Sequence, residues 1–198
     1  MPENLTRLLA AVRACRDCEG KIPQPRPILN AHRDARVLIV GQAPGRKVHA
    51  TGIPWNDASG ERLRAWLNVD KPTFYNPRYF AIIPIGFCFP GTGRSGDLPP
   101  RRECGELWIG RLLAALPRIE LKILIGHYAQ AYYLGERRKP SLTETVRHWR
   151  DYWPGHLPLP HSSPHNIGWF KANPWLKQEV IPALRRHPAM RAIYKETR

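Results

Sequence analysis

The chain has 198 residues, of which 42% are hydrophobic and 24% charged. That is enough for one large domain that buries most of the surface its unfolded form exposes. Thirty-one Lys and Arg against 16 Asp and Glu leave a formal charge of +15, which attracts polyanions and puts nucleic acid first among partners, because neutralised phosphates release their condensed counterions.

No run approaches the ~20 apolar residues of a spanning helix, and the N-terminal "MPENLTRLLAAVRACRDCEG" holds no continuous apolar signal core. A soluble cytoplasmic protein associated with the nucleoid, with no membrane partner, is the expectation.

In chain order, Leu5, Leu8, Leu9 and Val12 recur at helical spacing and predict a first helix that delivers Cys15 and Cys18 at its end. A proline-punctuated connection follows. "ARVLIVGQAPG" is a continuous apolar run closed by Gly and Pro, so Arg36 to Val40 reads as a buried parallel strand entering a loop. "DASGERLRAWL" starts a helix with Asp57 or Ser59 as cap and Leu63, Trp66 and Leu67 on one face.

A second strand around Tyr79 to Ile83 again enters a Gly- and Pro-rich loop. "PPRRECGELWIGRLLAAL" has a proline start and carries Cys104 near the beginning of a helix. "LKILIG" is a third strand, "HYAQAYYLG" a short helix closed by Gly135, and "SLTETVRHW" opens with the Ser141 and Glu144 spacing of a capping box. "HLPLP" is a short fourth strand. "NPWLKQEVIPALRRH" is a final helix capped by Asn173, with Pro174 in its first turn and Pro182 expected to kink or restart it.

Strands separated by helices pair in parallel through right-handed crossovers. The expectation is one domain over residues 1–198, a three-layer α/β/α sandwich around a four-stranded parallel sheet. Ligands of such sheets sit beyond the carboxyl ends of the strands, which gathers "GQAPG", "PIGFCFPG", "GHY" and "PHSSPHN" at one rim.

Each motif has two readings. The N–H groups of the "VGQAPG" turn can hold a carbonyl or phosphate, or the turn is structural; it lacks the Walker and dinucleotide fingerprints. Trp55 offers a flat surface beside Asn56 and Asp57, as a pocket for a flipped base requires. Otherwise Trp55 is core and Asp57 a helix cap. His161 in "HSSPHN" could stabilise charge developing on a leaving group, or be a solvated loop residue. Cys15, Cys18, Cys88 and Cys104 fit a zinc site, a cubane cluster or free buried thiols. Basic and aromatic residues interleave in "RHWRDYWPGH" and "HNIGWFKANPWLK", a mixture that can track phosphates and stack on bases, or whose Trp and Tyr are equally core.

Taken together, "GQAPG" and "HSSPHN", in this order, resemble the water-activating loop and the histidine loop of the uracil-DNA glycosylase superfamily. The cysteines are similar in number, order and spacing to those of its iron–sulfur branch. The likeness runs from about Ala14 to Asn166.

It implies a uracil-DNA glycosylase: a monofunctional enzyme that flips uracil out of DNA, hydrolyses its N-glycosidic bond, releases the base and so starts base excision repair. It implies a [4Fe-4S] cluster on the four cysteines, with zinc as the other metal. Gln42 with Gly41, Ala43, Pro44 and Gly45 would line the site near the attacking water, Trp55 would stack on the base, and His161 would meet its carbonyl oxygen. Ser162, Ser163, Pro164, His165 and Asn166 would meet DNA.

Three positions depart from the pattern: Gln42 stands where the branch commonly has glutamate, Pro84 where it has asparagine, and Ser162 where proline is usual. A water must then be oriented by Gln42, by backbone or by Asp57, the nearest carboxylate in sequence. A glycosylase for another deaminated base, a non-catalytic binder of damaged or single-stranded DNA, and a small-molecule enzyme stay as alternatives. One basic groove suggests a monomer.

Overall fold

A computed structural model describes residues 3–94 and 96–197. Its centre is a parallel sheet of four strands, β1 (Val37–Val40), β2 (Phe80–Ile82), β5 (Leu121–Ile125) and β6 (His156–Leu159), in the order β2-β1-β5-β6. Between them in sequence, β3 (Thr92–Gly93) and β4 (Gly96–Asp97) form a short antiparallel ribbon. The four strands are those expected from the apolar runs, each trimmed by a residue or two at its ends. Register pairs Leu38 with both Ala81 and Lys122, and Leu124 with Pro158. Pro158 is tolerated because β6 lies at the sheet edge, where a missing N–H breaks no ladder.

The helices are α1 (Leu5–Ala14), α2 (Arg46–Thr51), α3 (Ala58–Leu67), α4 (Lys71–Tyr75), α5 (Gly110–Ala114), α6 (His127–Leu134), α7 (Leu142–Arg147), α8 (Ile167–Ala172), α9 (Ile181–Arg186) and α10 (Pro188–Glu196). They cover both faces of the sheet. Leu38, Val40 and Leu124 pack with Leu8 and Leu112 on one side. Val37, Ile39 and Ile123 pack with Leu63, Phe74, Leu184 and Ile193 on the other. β1 is buried on both faces and carries no alternation, and β5 is so apart from the half-buried Lys122, so their apolar runs are the sequence trace of that burial.

Caps decide several boundaries. Asp57, not Ser59, caps α3 by accepting from the Gly60 amide at 2.8 Å, and Ser141 caps α7 by accepting from the Glu144 amide at 3.1 Å. Asn173 corrects the expectation: its amide donates to the Trp169 carbonyl and its carbonyl oxygen accepts from the Trp175 indole. It therefore closes α8 instead of opening the next helix. The last helical run is split, with a π turn over Leu176–Val180 giving way to α9 where Pro182 supplies no N–H. A second π turn, Gly105–Ile109, follows Cys104. Among the described residues no helix is long and apolar enough to cross a membrane.

At the carboxyl rim the strands stay tied after they end. Ile85 and Gly86 donate to the carbonyls of Gly41 and Gln42 at 2.9 and 2.8 Å. The fully buried amide of Gln130 donates to the Leu159 carbonyl at 2.9 Å, which fixes the end of β6 against α6. The loops after β1, β2, β5 and β6 are thus carried on a rigid frame.

Candidate active site

The loops after β1, β2 and β6 enclose a cavity of about 370 Å³. Gly41, Gln42, Ala43, Pro44, Gly45, Trp55, Asp57, His161 and Ser163 all face it, so residues from both short motifs meet across one space. Ile28, Val48, Ile82 and Pro84 supply an apolar lining. A flat heterocycle fits such a space, with few polar groups to orient it.

His161 emerges directly beyond β6. Its Nδ1 accepts from the Ser163 amide at 3.1 Å, and its carbonyl accepts from the Asn166 side chain at 2.8 Å. The loop thereby folds onto its own histidine. Burial lowers the pKa of the imidazole, with the Asp57 carboxylate pulling the other way, so the ring is neutral at pH 7. A neutral ring that accepts at Nδ1 carries its proton on Nε2.

Trp55 lies beside it, ring centroids 5.8 Å apart and planes 27° from parallel. Its backbone is in the left-handed region at φ +56°, an uncommon state for a bulky side chain. Three neighbours support it. Arg64 Nη1 and the Tyr75 hydroxyl both donate to the Trp55 carbonyl at 3.3 Å. Gly60 leaves room for that carbonyl, since a Cβ there would lie 1.8 Å from its oxygen. Gly41 has a similar role under the indole, where an added Cβ would lie 3.0 Å from the ring.

Asp57 both caps α3, its Oδ1 accepting from the Gly60 amide, and faces the cavity. Gln42 donates through Nε2 to the Leu98 carbonyl at 3.2 Å, which leaves Oε1 as an acceptor. Pro84 contributes only apolar surface. Asp97, on the ribbon, is a second carboxylate on the wall.

The histidine loop departs from expectation at one place. Ser162, expected against DNA, has no exposed surface, and its hydroxyl has no hydrogen-bond partner among the described residues. Its side chain is packed under the loop, out of reach of a duplex. Pro164 and His165 form the exposed tip, while Asn166 is half-buried and turned back onto His161. Asn56 does not line the cavity.

The sequence reading did not find Arg62, whose Nη1 donates to the carbonyls of both Ser162 and Ser163 at 2.9 Å while its guanidinium lies over Phe170. Nothing local distinguishes it from any other helix arginine. Arg64 did leave a trace, because it shares the buried face of α3 with Gly60, Leu63 and Leu67, where an unneeded charge would be costly.

None of the four cysteines is in a disulfide; Cys15 is half-buried and the others are buried. Cys18 and Cys88 pack together with Ile22, and the Phe87 amide donates to Cys104 Sγ at 3.4 Å. Burial pushes the Cys88 thiol up to about 11 and Cys104 up to about 12, and each feels the charge of the cysteines around it. Among the described residues no three His, Cys, Asp or Glu side chains converge on a point that would hold one metal ion.

A family model described as the uracil DNA glycosylase superfamily matches residues 29–185. Cys15, Cys18 and the cavity residue Ile28 precede that span; Cys88, Cys104 and the other residues of the cavity lie within it.

Proposed function

The chain belongs to the uracil DNA glycosylase superfamily, and on that premise we propose that its cavity receives uracil extruded from DNA and hydrolyses the N-glycosidic bond. Membership implies a DNA glycosylase acting on deaminated bases; the choice of uracil is the finer step. The observation that carries the proposal is the pairing of Trp55 with a neutral His161 on the wall of one cavity. An aromatic face and a carbonyl-directed N–H are what an extruded pyrimidine needs.

In the reaction the bond between C1′ and the base nitrogen breaks, and the electron pair leaves with the base. His161 Nε2–H donates to the base carbonyl oxygen, on which that negative charge collects. Water attacks C1′ and gives its proton to a carboxylate or to solvent. Asp57 Oδ2 is the group we assign to orient the water, with Gln42 Oε1 as a second acceptor. The loop tip at Pro164 and His165, with Ser163 and Asn166 behind it, presses on the DNA and fills the space the base has left. The expected outcome is alkali-labile abasic sites in uracil-containing oligonucleotide.

Pro84 favours a second reading for the base alone. With no side-chain amide at that position and a cavity of about 370 Å³, a larger deaminated base also fits. A panel of oligonucleotides carrying uracil, hypoxanthine or xanthine separates the two.

We also propose that Cys15, Cys18, Cys88 and Cys104 hold a [4Fe-4S] cluster that ties the segment after α1 to the loop after β2. Cys18 and Cys88 pack together, and one close Cys-x2-Cys pair with two scattered cysteines suits a polynuclear core better than the two close pairs usual for structural zinc. The cluster would supply cross-linking, and no step above depends on it. Brown protein absorbing near ~400 nm, from thiolate-to-iron charge transfer, with iron near four per chain supports it; stoichiometric zinc in colourless protein refutes it.

A further inference from the structure

The cavity that holds the base does not end at His161. Gln42 and His161 also wall a second cleft of about 220 Å³, bounded by His127, Tyr128 and Trp169. His127 and Leu142 of that cleft in turn border a third, of about 430 Å³, whose far edge is the segment Gly135–Lys139. Each depression shares wall residues with the next, so the three lie side by side as one row of clefts.

Its chemistry changes along its length. The second cleft is aromatic: His127 and Tyr128 meet edge to face at 5.6 Å, and the Trp169 ring is pinned by its indole N–H donating to Thr143 at 2.8 Å. The third is charged, with Glu136, Arg138 and Lys139 on its wall. Lys139 there is paired with Asp151 at 2.8 Å. Arg138 donates only through Nε, to the Gly135 carbonyl at 3.2 Å, which leaves its two terminal amino groups without a protein acceptor among the described residues.

We infer that this row of clefts is a track for one strand of nucleic acid, leading from the extruded nucleotide past His127 and Tyr128 to Arg138. Stacking faces followed by an uncommitted guanidinium are what a single strand requires. A cleft of about 220 Å³ admits a sugar and phosphate or one base, and excludes a duplex. The track rests on the glycosylase reading for its starting point at His161. It adds that the strand on one side of the lesion is held well beyond its first phosphate.

The test uses oligonucleotides with one uracil and a stepwise lengthened strand on either its 5′ or its 3′ side. For the wild-type protein, kcat/KM should rise with length on one side only. Arg138→Glu should cut that gain by roughly tenfold, the loss of one charge-assisted contact, and lower the salt slope of binding by roughly 0.7. His127→Ala should weaken the gain over the first added nucleotides. A gain that is absent, equal on both sides, or unchanged in Arg138→Glu overturns the track. Absence of excision at every length counts against the base reading instead. Anisotropy of the same oligonucleotides, each carrying an abasic analogue in place of uracil, then tests the track alone.

Discussion

The backbone amide of Ser163 donates to Nδ1 of His161 at 3.1 Å, and this one contact fixes which nitrogen carries the proton of a neutral ring. The imidazole pKa is lowered by burial, against the opposing pull of Asp57. Nitrogen-15 spectra of the folded protein at pH 7 should therefore show a neutral His161 protonated at Nε2. A doubly protonated ring at that pH would contradict the electrostatics. The sign of the stability effect follows. A histidine that binds its proton less readily when folded costs nothing above its unfolded value near ~6.5, and destabilises the fold progressively as pH falls toward the lowered value.

Asp57 has two roles that substitutions can separate. Asn is as good a cap as Asp, whereas Ala costs about 1 kcal/mol of helix stability. Asp57→Asn should keep the melting temperature and lower kcat by roughly 10²-fold, the lower end expected for losing a positioned general base. Asp57→Ala should lose both. If Asp57→Asn retains full kcat, the carboxylate is only a cap.

Arg62 holds the carbonyls of Ser162 and Ser163 from behind. Hydrogen bonds to a charged donor contribute about 1.5–3 kcal/mol, so Arg62→Ala should release the loop that carries His161. The expected signature is a kcat at least roughly tenfold lower with little change in KM, because the histidine acts on the departing base. Arg62→Lys should recover part of it, since an ammonium reaches one carbonyl but cannot reproduce the planar fork. A loss confined to KM would contradict this.

Gly60 and Ser162 should respond in opposite directions. Gly60→Ala drives a Cβ into the Trp55 carbonyl, 1.8 Å away, and should destabilise by at least about 1–3 kcal/mol. Ser162→Ala removes a buried hydroxyl without a partner, whose desolvation costs about 1–3 kcal/mol, and should raise the melting temperature. Thermal unfolding of the two variants beside the parent checks both signs.

The sheet and its rim were legible because β1, and β5 apart from Lys122, are buried on both faces, and such burial writes an apolar run without alternation. Gly41 to Gly45 and His161 were legible because they sit where such strands end. Side-chain reach was not. Arg62 meets Ser162 across 100 positions of sequence, and Asn173 went to two tryptophan partners instead of a helix end. The inward turn of Ser162 and the left-handed backbone of Trp55 follow from packing that no local window contains. Gln130 is hidden for the same reason: its hydrogen bonds to strand-end carbonyls exist only once β5 and β6 are side by side.

The central claim is that Trp55 and His161 make a pocket in which an extruded uracil loses its bond to the sugar. Its most direct test is a single-turnover assay on an oligonucleotide with one uracil, comparing wild type with His161→Ala. The wild-type protein should form abasic sites that break in alkali, at a rate that falls by about 10²–10³-fold when the leaving-group stabiliser is removed. No abasic product from the wild-type protein, or equal rates for the two proteins, would contradict it.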